Sequence, residues 1–66
     1  MSEATLLAIT IVGSESITVR KHTSDEVTWY VVEHVGHMAR QRYTWESART
    51  LYLDRVAKVT QASQQS

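Results

Sequence analysis

Val27-Thr28-Trp29-Tyr30-Val31-Val32-Glu33-His34-Val35 is the stretch on which the fold turns. It opens with six consecutive strand-favouring residues, Val27 to Val32, and Gly36 follows it directly. Branched and aromatic side chains suit a pleated surface and lose rotamer freedom in a helix. A helical reading also exists. Thr23 and Glu26 could form a capping box, and Val27, Val31, Val32, Val35, Met38 and Ala39 would then share one side. That helix would leave Trp29 and Tyr30 off its apolar stripe and carry Gly36 in its middle. The spacing therefore predicts a strand over residues 27–35, with Thr23-Ser24-Asp25-Glu26 as a polar turn before it. The helical alternative would give a β-hairpin followed by two helices.

Towards the C-terminus, Gly36-His37 occupies the place of a two-residue hairpin turn, where Gly can take positive φ. Residues 38–43 then return as a strand, with Arg40 and Arg42 on one side and Ala39, Gln41 and Tyr43 on the other. Thr44 is placed as an N-cap, with Glu46 in the first turn where the helix dipole favours an acid. Tyr43 stands where a hydrophobic staple onto Ala48 would form. At about 100° per residue, Trp45, Ala48, Tyr52, Val56 and Val59 share one helical face, flanked by Leu51 and Leu53. Asp54 and Lys58 make an acid-before-base pair four residues apart. Residues 60–66 (TQASQQS) are polar and aperiodic and read as a disordered tail.

Towards the N-terminus, residues 17–22 alternate, with Ile17 and Val19 inward and Thr18, Arg20 and His22 outward. Residues 6–12 (LLAITIV) form a short apolar run bounded by Gly13-Ser14-Glu15-Ser16, which favours a strand and a hairpin loop at 13–16. Strict alternation puts Leu7, Ile9 and Ile11 on one face and Leu6, Ala8, Thr10 and Val12 on the other. The expected fold is α+β: a small antiparallel sheet of three to four strands packed by one C-terminal helix, as a single domain over residues 1–59.

A chain of 66 residues buries only about 60% of its unfolded surface, so stability is marginal without a disulfide, a metal or a partner. There is no Cys, which removes disulfides and thiolate metal sites and leaves association as the simplest support. Met1-Ser2-Glu3-Ala4 lacks the basic start of a signal peptide. The apolar run at 5–12 is far shorter than the ~20 residues of a membrane span. A soluble, cytoplasmic protein is expected, with no membrane role. The net charge is zero but divided. Residues 1–36 set Arg20 and Lys21 against Glu3, Glu15, Asp25, Glu26 and Glu33, a balance of −3. Residues 37–66 set Arg40, Arg42, Arg49, Arg55 and Lys58 against Glu46 and Asp54, a balance of +3.

No motif carries chemistry. Gly13-Ser14-Glu15-Ser16 lacks the G-x-S-x-G order of a nucleophile elbow, and so short a chain has few walls for a water-excluding pocket. His34 and His37 flank the proposed turn, but no close acidic cluster completes a zinc shell. The reading is no enzyme, no metal and no cofactor. Two binding features stand out. Trp29 and Tyr30 are adjacent and must point to opposite faces of a strand, so one of them is exposed beside Val31 or Val32. Arg40, Arg42, Arg49 and Arg55 could gather beside Tyr43, Trp45 and Tyr52 as a guanidinium rim suited to carboxylates or phosphates. These six, Trp29, Tyr30, Arg40, Arg42, Arg49 and Arg55, are the expected partner-binding residues.

The order of antiparallel strands followed by one helix, over residues 17–59, resembles the AP2-type and integrase arm-binding domains. That resemblance is one of layout and implies nucleic-acid binding through the sheet. Those domains are markedly basic and this chain is neutral, which weakens the phosphate contacts that dominate such binding. In size and character the chain also resembles small phage-encoded proteins that block a host machine. The expected function is a non-enzymatic protein-binding module, as a homodimer or as an inhibitor docked on a larger complex such as a nucleic-acid-processing or CRISPR system. The alternative is a small nucleic-acid-binding domain using Arg20, Lys21, Arg40, Arg42 and Arg49.

Overall fold

Residues Val27–His34 form a strand, so the helical alternative falls and the α+β expectation holds. The computed structural model describes residues 3–64. In chain order the elements are β1 (Glu3–Val12), β2 (Glu15–Ser24), β3 (Val27–His34), β4 (Arg40–Arg42) and α1 (Trp45–Gln64). The strands make one antiparallel sheet in the order β1-β2-β3-β4, and α1 lies across one face. No helix among the described residues is long and apolar enough to cross a membrane.

The first two turns explain why β2 outruns its sequence-predicted ends at residues 17 and 22. The first connection is two residues, Gly13-Ser14, rather than a four-residue loop. Gly13 takes φ +61° and Ser14 does not turn positive, the type II′ pattern that matches strand twist. Asp25-Glu26 is the whole second connection, with φ of 50° and 68°, a type I′ turn. The third differs from expectation. Gly36-His37 is not a two-residue turn; it is part of a five-residue connection spanning residues 35–39. Gly36, at φ +87°, is the third residue of a turn closed by the His37 amide donating to the His34 carbonyl at 2.9 Å. Val32 pairs with Arg40 and Tyr30 with Arg42, so β4 shrinks to three residues.

A second departure lies in β1. The register slips by one residue between Leu6 and Ala8, a β-bulge at Leu7. Simple alternation would set Leu6 with Ala8, Thr10 and Val12. Instead Leu6 stands opposite Arg20, on the same side as Ile9 opposite Thr18 and Ile11 opposite Ser16.

The core lies between β2, β3 and the helix. Ile17, Val19 and Val32 from the sheet meet Ala48, Tyr52 and Val59 from α1. Ala8, Val12, Tyr30, Leu51 and Val56 close its margins. The hydroxyls of Tyr52 and Thr10 hydrogen-bond, tying the helix to β1. Thr44 caps α1 as its sequence position suggests: the Ser47 amide donates to Thr44 Oγ1 at 3.2 Å. The proposed staple is absent, because Ala48 is wholly buried against the sheet while Tyr43 is 74% exposed. The helix also runs past Val59 to Gln64, so residues 60–64 are not a disordered tail. Gln and Ala are good helix formers, no Gly or Pro intervenes, and the Thr60 hydroxyl donates back to the Val56 carbonyl at 2.8 Å. The last two residues of the expected tail lie outside the described residues.

Two stability effects follow from these features. Left-handed backbone costs a residue with a side chain about 1–2 kcal/mol, and glycine escapes it. Glu26→Gly should therefore raise the urea midpoint, corresponding to about 1 kcal/mol of added stability. Val19→Ala removes two buried methyls from the centre of the sheet and should cost about 2 kcal/mol in the same titration.

Candidate functional site

One helix covers one face of the sheet, and the opposite face is open. Side chains alternate along each strand, so Ser16, Thr18, Arg20 and His22 of β2 point away from α1. Val27, Trp29, Val31 and Glu33 of β3 stand among them, and Leu6, Ile9 and Ile11 of β1 complete the face. The two middle strands protect themselves. Trp29 stacks on His22 with ring centroids 5.6 Å apart and planes 16° from parallel. Arg20 donates from Nη1 to Thr18 Oγ1 at 3.2 Å and pairs with Glu33 at 3.5 Å, which leaves Thr18 buried beneath it. β1 has no such cover. Leu6 is 47% exposed, Ile9 51% and Ile11 68%, with Leu7 in the bulge at 42%.

Trp29 and Tyr30 do divide between faces as adjacent strand residues must. Trp29 takes the open face beside Val31. Tyr30 takes the helix face, where its ring meets Trp45 at 5.8 Å in a tilted arrangement. Both are half-buried. The loop at residues 35–39 rises at one end of the open face. With Ser16, Thr18, Arg20 and Glu33 it frames a cleft of about 330 Å³.

The four arginines do not form one rim around that face. Arg40 and Arg42 lie opposite Val32 and Tyr30, on the helix side of the sheet. Arg42 lines a shallow groove with Glu46 and Asp54 of the first half of α1. Arg55 belongs to a different groove, beneath the second half of the helix and beside the Gly13-Ser14 turn. Arg49 is six residues from Arg55, about 120° away around the helix axis. The physical reason is geometric: short β4 delivers two arginines near the N-terminal part of α1, while the helical repeat carries the others to its flanks. The arginine of the open face is Arg20, which the sequence placed outward but not at its centre.

Sequence reasoning passed over the groove containing Arg55. It has a volume of about 410 Å³ and is bounded by Val12, Glu15, His34, His37, Arg55 and Lys58 among others. His34 is buried there, with Nε2 2.6 Å from Glu15 Oε2, so an ionised Glu15 accepts from an Nε2–H. Its other nitrogen, Nδ1, is buried with no partner among the described residues, and the His37 ring stacks on the imidazole with centroids 4.1 Å apart. Glu15 lies two residues before Ile17, the cross-strand partner of His34, so its side chain shares that face and meets the imidazole diagonally, a proximity that only the hairpin register reveals. Among the described residues no three His, Asp or Glu side chains are grouped to hold a metal. The groove's polar side chains thus comprise the Glu15–His34 pair, the exposed His37 imidazole, Ser14 and two cations, with Lys58 already 3.2 Å from Asp54.

No protein-family model, curated protein or solved structure matches this chain. The Glu15–His34 contact is also a stability element, because losing Glu15 leaves both ring nitrogens of a buried imidazole unsatisfied. Glu15→Ala should cost about 1–3 kcal/mol. Glu33→Ala breaks only the solvent-screened pair with Arg20 and should cost less than about 1 kcal/mol. Equal losses for the two variants in chemical denaturation would contradict a structural role for the histidine contact.

Proposed function

We propose that the chain is a non-enzymatic protein-binding module that engages its partner through the open face of the sheet and the adjoining edge of β1. The observation that carries this reading is the exposed apolar set on β1, Leu6, Ile9 and Ile11, which faces one way and has no covering side chains. A contiguous apolar patch of this kind is uncommon on a protein that acts alone and is typical of an interaction surface. Trp29, on β3 of the same face, supplies the aromatic anchor that interfaces favour, and the Arg20–Glu33 pair supplies a polar contact beside it. Blocking a larger complex, a host nucleic-acid-processing or CRISPR system among them, is a use such a small surface could serve.

The nucleic-acid alternative gains nothing from the placement of its cations. Arg40 and Arg42 lie on the helix side, Arg20 and Lys21 point to opposite faces of β2, and Arg20 is held by Glu33. Phosphate binding needs several cations converging on one track, and it weakens steeply between about 50 mM and about 200 mM salt. A gel shift with random duplex DNA over that range should show no tight, salt-sensitive complex. A partner retained from the source cell's lysate should stay bound as salt rises, and should be lost with Trp29→Ala and Ile11→Lys but kept with Arg49→Ala. Tight duplex binding that collapses with salt would overturn the proposal.

A further inference from the structure

We infer that the β1 edge is covered by a second copy of this chain, paired antiparallel about a two-fold axis through the second half of β1. This rests on the reading of β1 as a protein-binding surface and names what occupies it. The two edges of the sheet differ sharply. β4 is three residues long and carries Arg40 and Arg42, which are devices that keep an edge from pairing. β1 is ten residues long, contains no Pro or Lys, and has no charge after Glu3. Only a bulge at Leu7 interrupts it, and Ala8–Val12 beyond the bulge is regular.

Self-pairing also fits the charges. In an antiparallel arrangement the Glu3 of each copy lies at the far end from its counterpart, so no like charges meet across the junction. The chain as a whole is neutral, so two copies do not repel. Pairing β1 with β1 is closed, since each copy spends its one long, uncharged edge and leaves only the short β4. Pairing β1 with β4 of the next copy would run on without end, and the short, charged β4 works against it. Size permits the contact. A ten-residue strand is about 34 Å long, and the molecule's smallest dimension is 18 Å. A two-fold axis through the second half of the strand pairs residues 8–12 of both copies, about 17 Å of it, so the contact covers roughly 300 Å² per copy, the scale of a weak interface that forms at high concentration. Ile9 and Ile11 of each copy would line the junction on the open face.

The test is sedimentation velocity on the full chain from about 5 µM to about 500 µM, with far-UV circular dichroism on each sample. A shift from the 7.5 kDa monomer to a species of twice that mass is expected, with concentration-dependent slowing of amide exchange confined to β1. Ile9→Lys should raise the dimer dissociation constant at least tenfold while the spectrum stays native. Ile11→Lys, at a still more exposed position, carries the same test should Ile9→Lys fail to fold. Val35→Lys, exposed in the loop, should leave the dimer unchanged. A monomer at every concentration, open-ended oligomers, or a dimer indifferent to both β1 lysines would each overturn the inference. A monomer that still captures a foreign protein through Trp29 and Ile11 would sink this inference alone. A β1 dimer with no foreign partner would confine the proposed function to self-association.

Discussion

A single helix is about 10 Å across, whereas four strands at about 4.8 Å spacing are nearly twice as wide. That mismatch governs this molecule. The helix can seal the middle of one face and nothing more, so the buried apolar residues gather where β2 and β3 meet Ala48, Tyr52 and Val59. β1 lies at the margin of this contact and is held to the helix by the Thr10–Tyr52 hydroxyl pair. The far face receives no cover from the helix at all. Its middle strands use their own side chains, with an aromatic ring laid on an imidazole and a guanidinium folded over a threonine. β1 has only aliphatic side chains to offer, and they stay in water.

The division of charge along the chain takes on a different meaning in three dimensions. The basic excess of residues 37–66 is spread around the helix and β4 rather than gathered, and part of it is answered locally by Asp54 and Glu46. The acids of the first half behave likewise, with Glu15 working on the helix side and Glu33 on the open side. What remains as a surface of one character is apolar and lies on β1. For that reason the binding reading rests on shape and hydrophobic cover, with charge as a margin.

Much of the fold is legible in the residues. The β-branched run before Gly36, the alternation of residues 17–22 and the Thr44 cap each act through local physics, and each survives in the structure. The failures within the sheet share a cause: they depend on register. A bulge adds one residue to one strand and leaves no mark in composition, so Leu6 changed faces unannounced. The length of β4 is fixed by where the turn after His34 closes, not by the apolar character of its own residues. The site suffered most, because a cluster of arginines is a statement about distances between elements. Trp29 against Tyr30 could be posed as an either-or from sequence, and only the side on which the helix lands decided it.

The strand order has a kinetic side. Each strand pairs only with its neighbour in sequence, through connections of two, two and five residues. Closing such short loops costs little chain entropy, so the sheet can assemble hairpin by hairpin and faster than sheets built from distant segments. The contact between Thr10 and Tyr52, which are 42 residues apart, needs the helix. During synthesis the strands therefore emerge and can pair before the last helical turn exists. For that interval both faces of the sheet are bare, and the docking of α1 marks the moment at which the molecule acquires an inside.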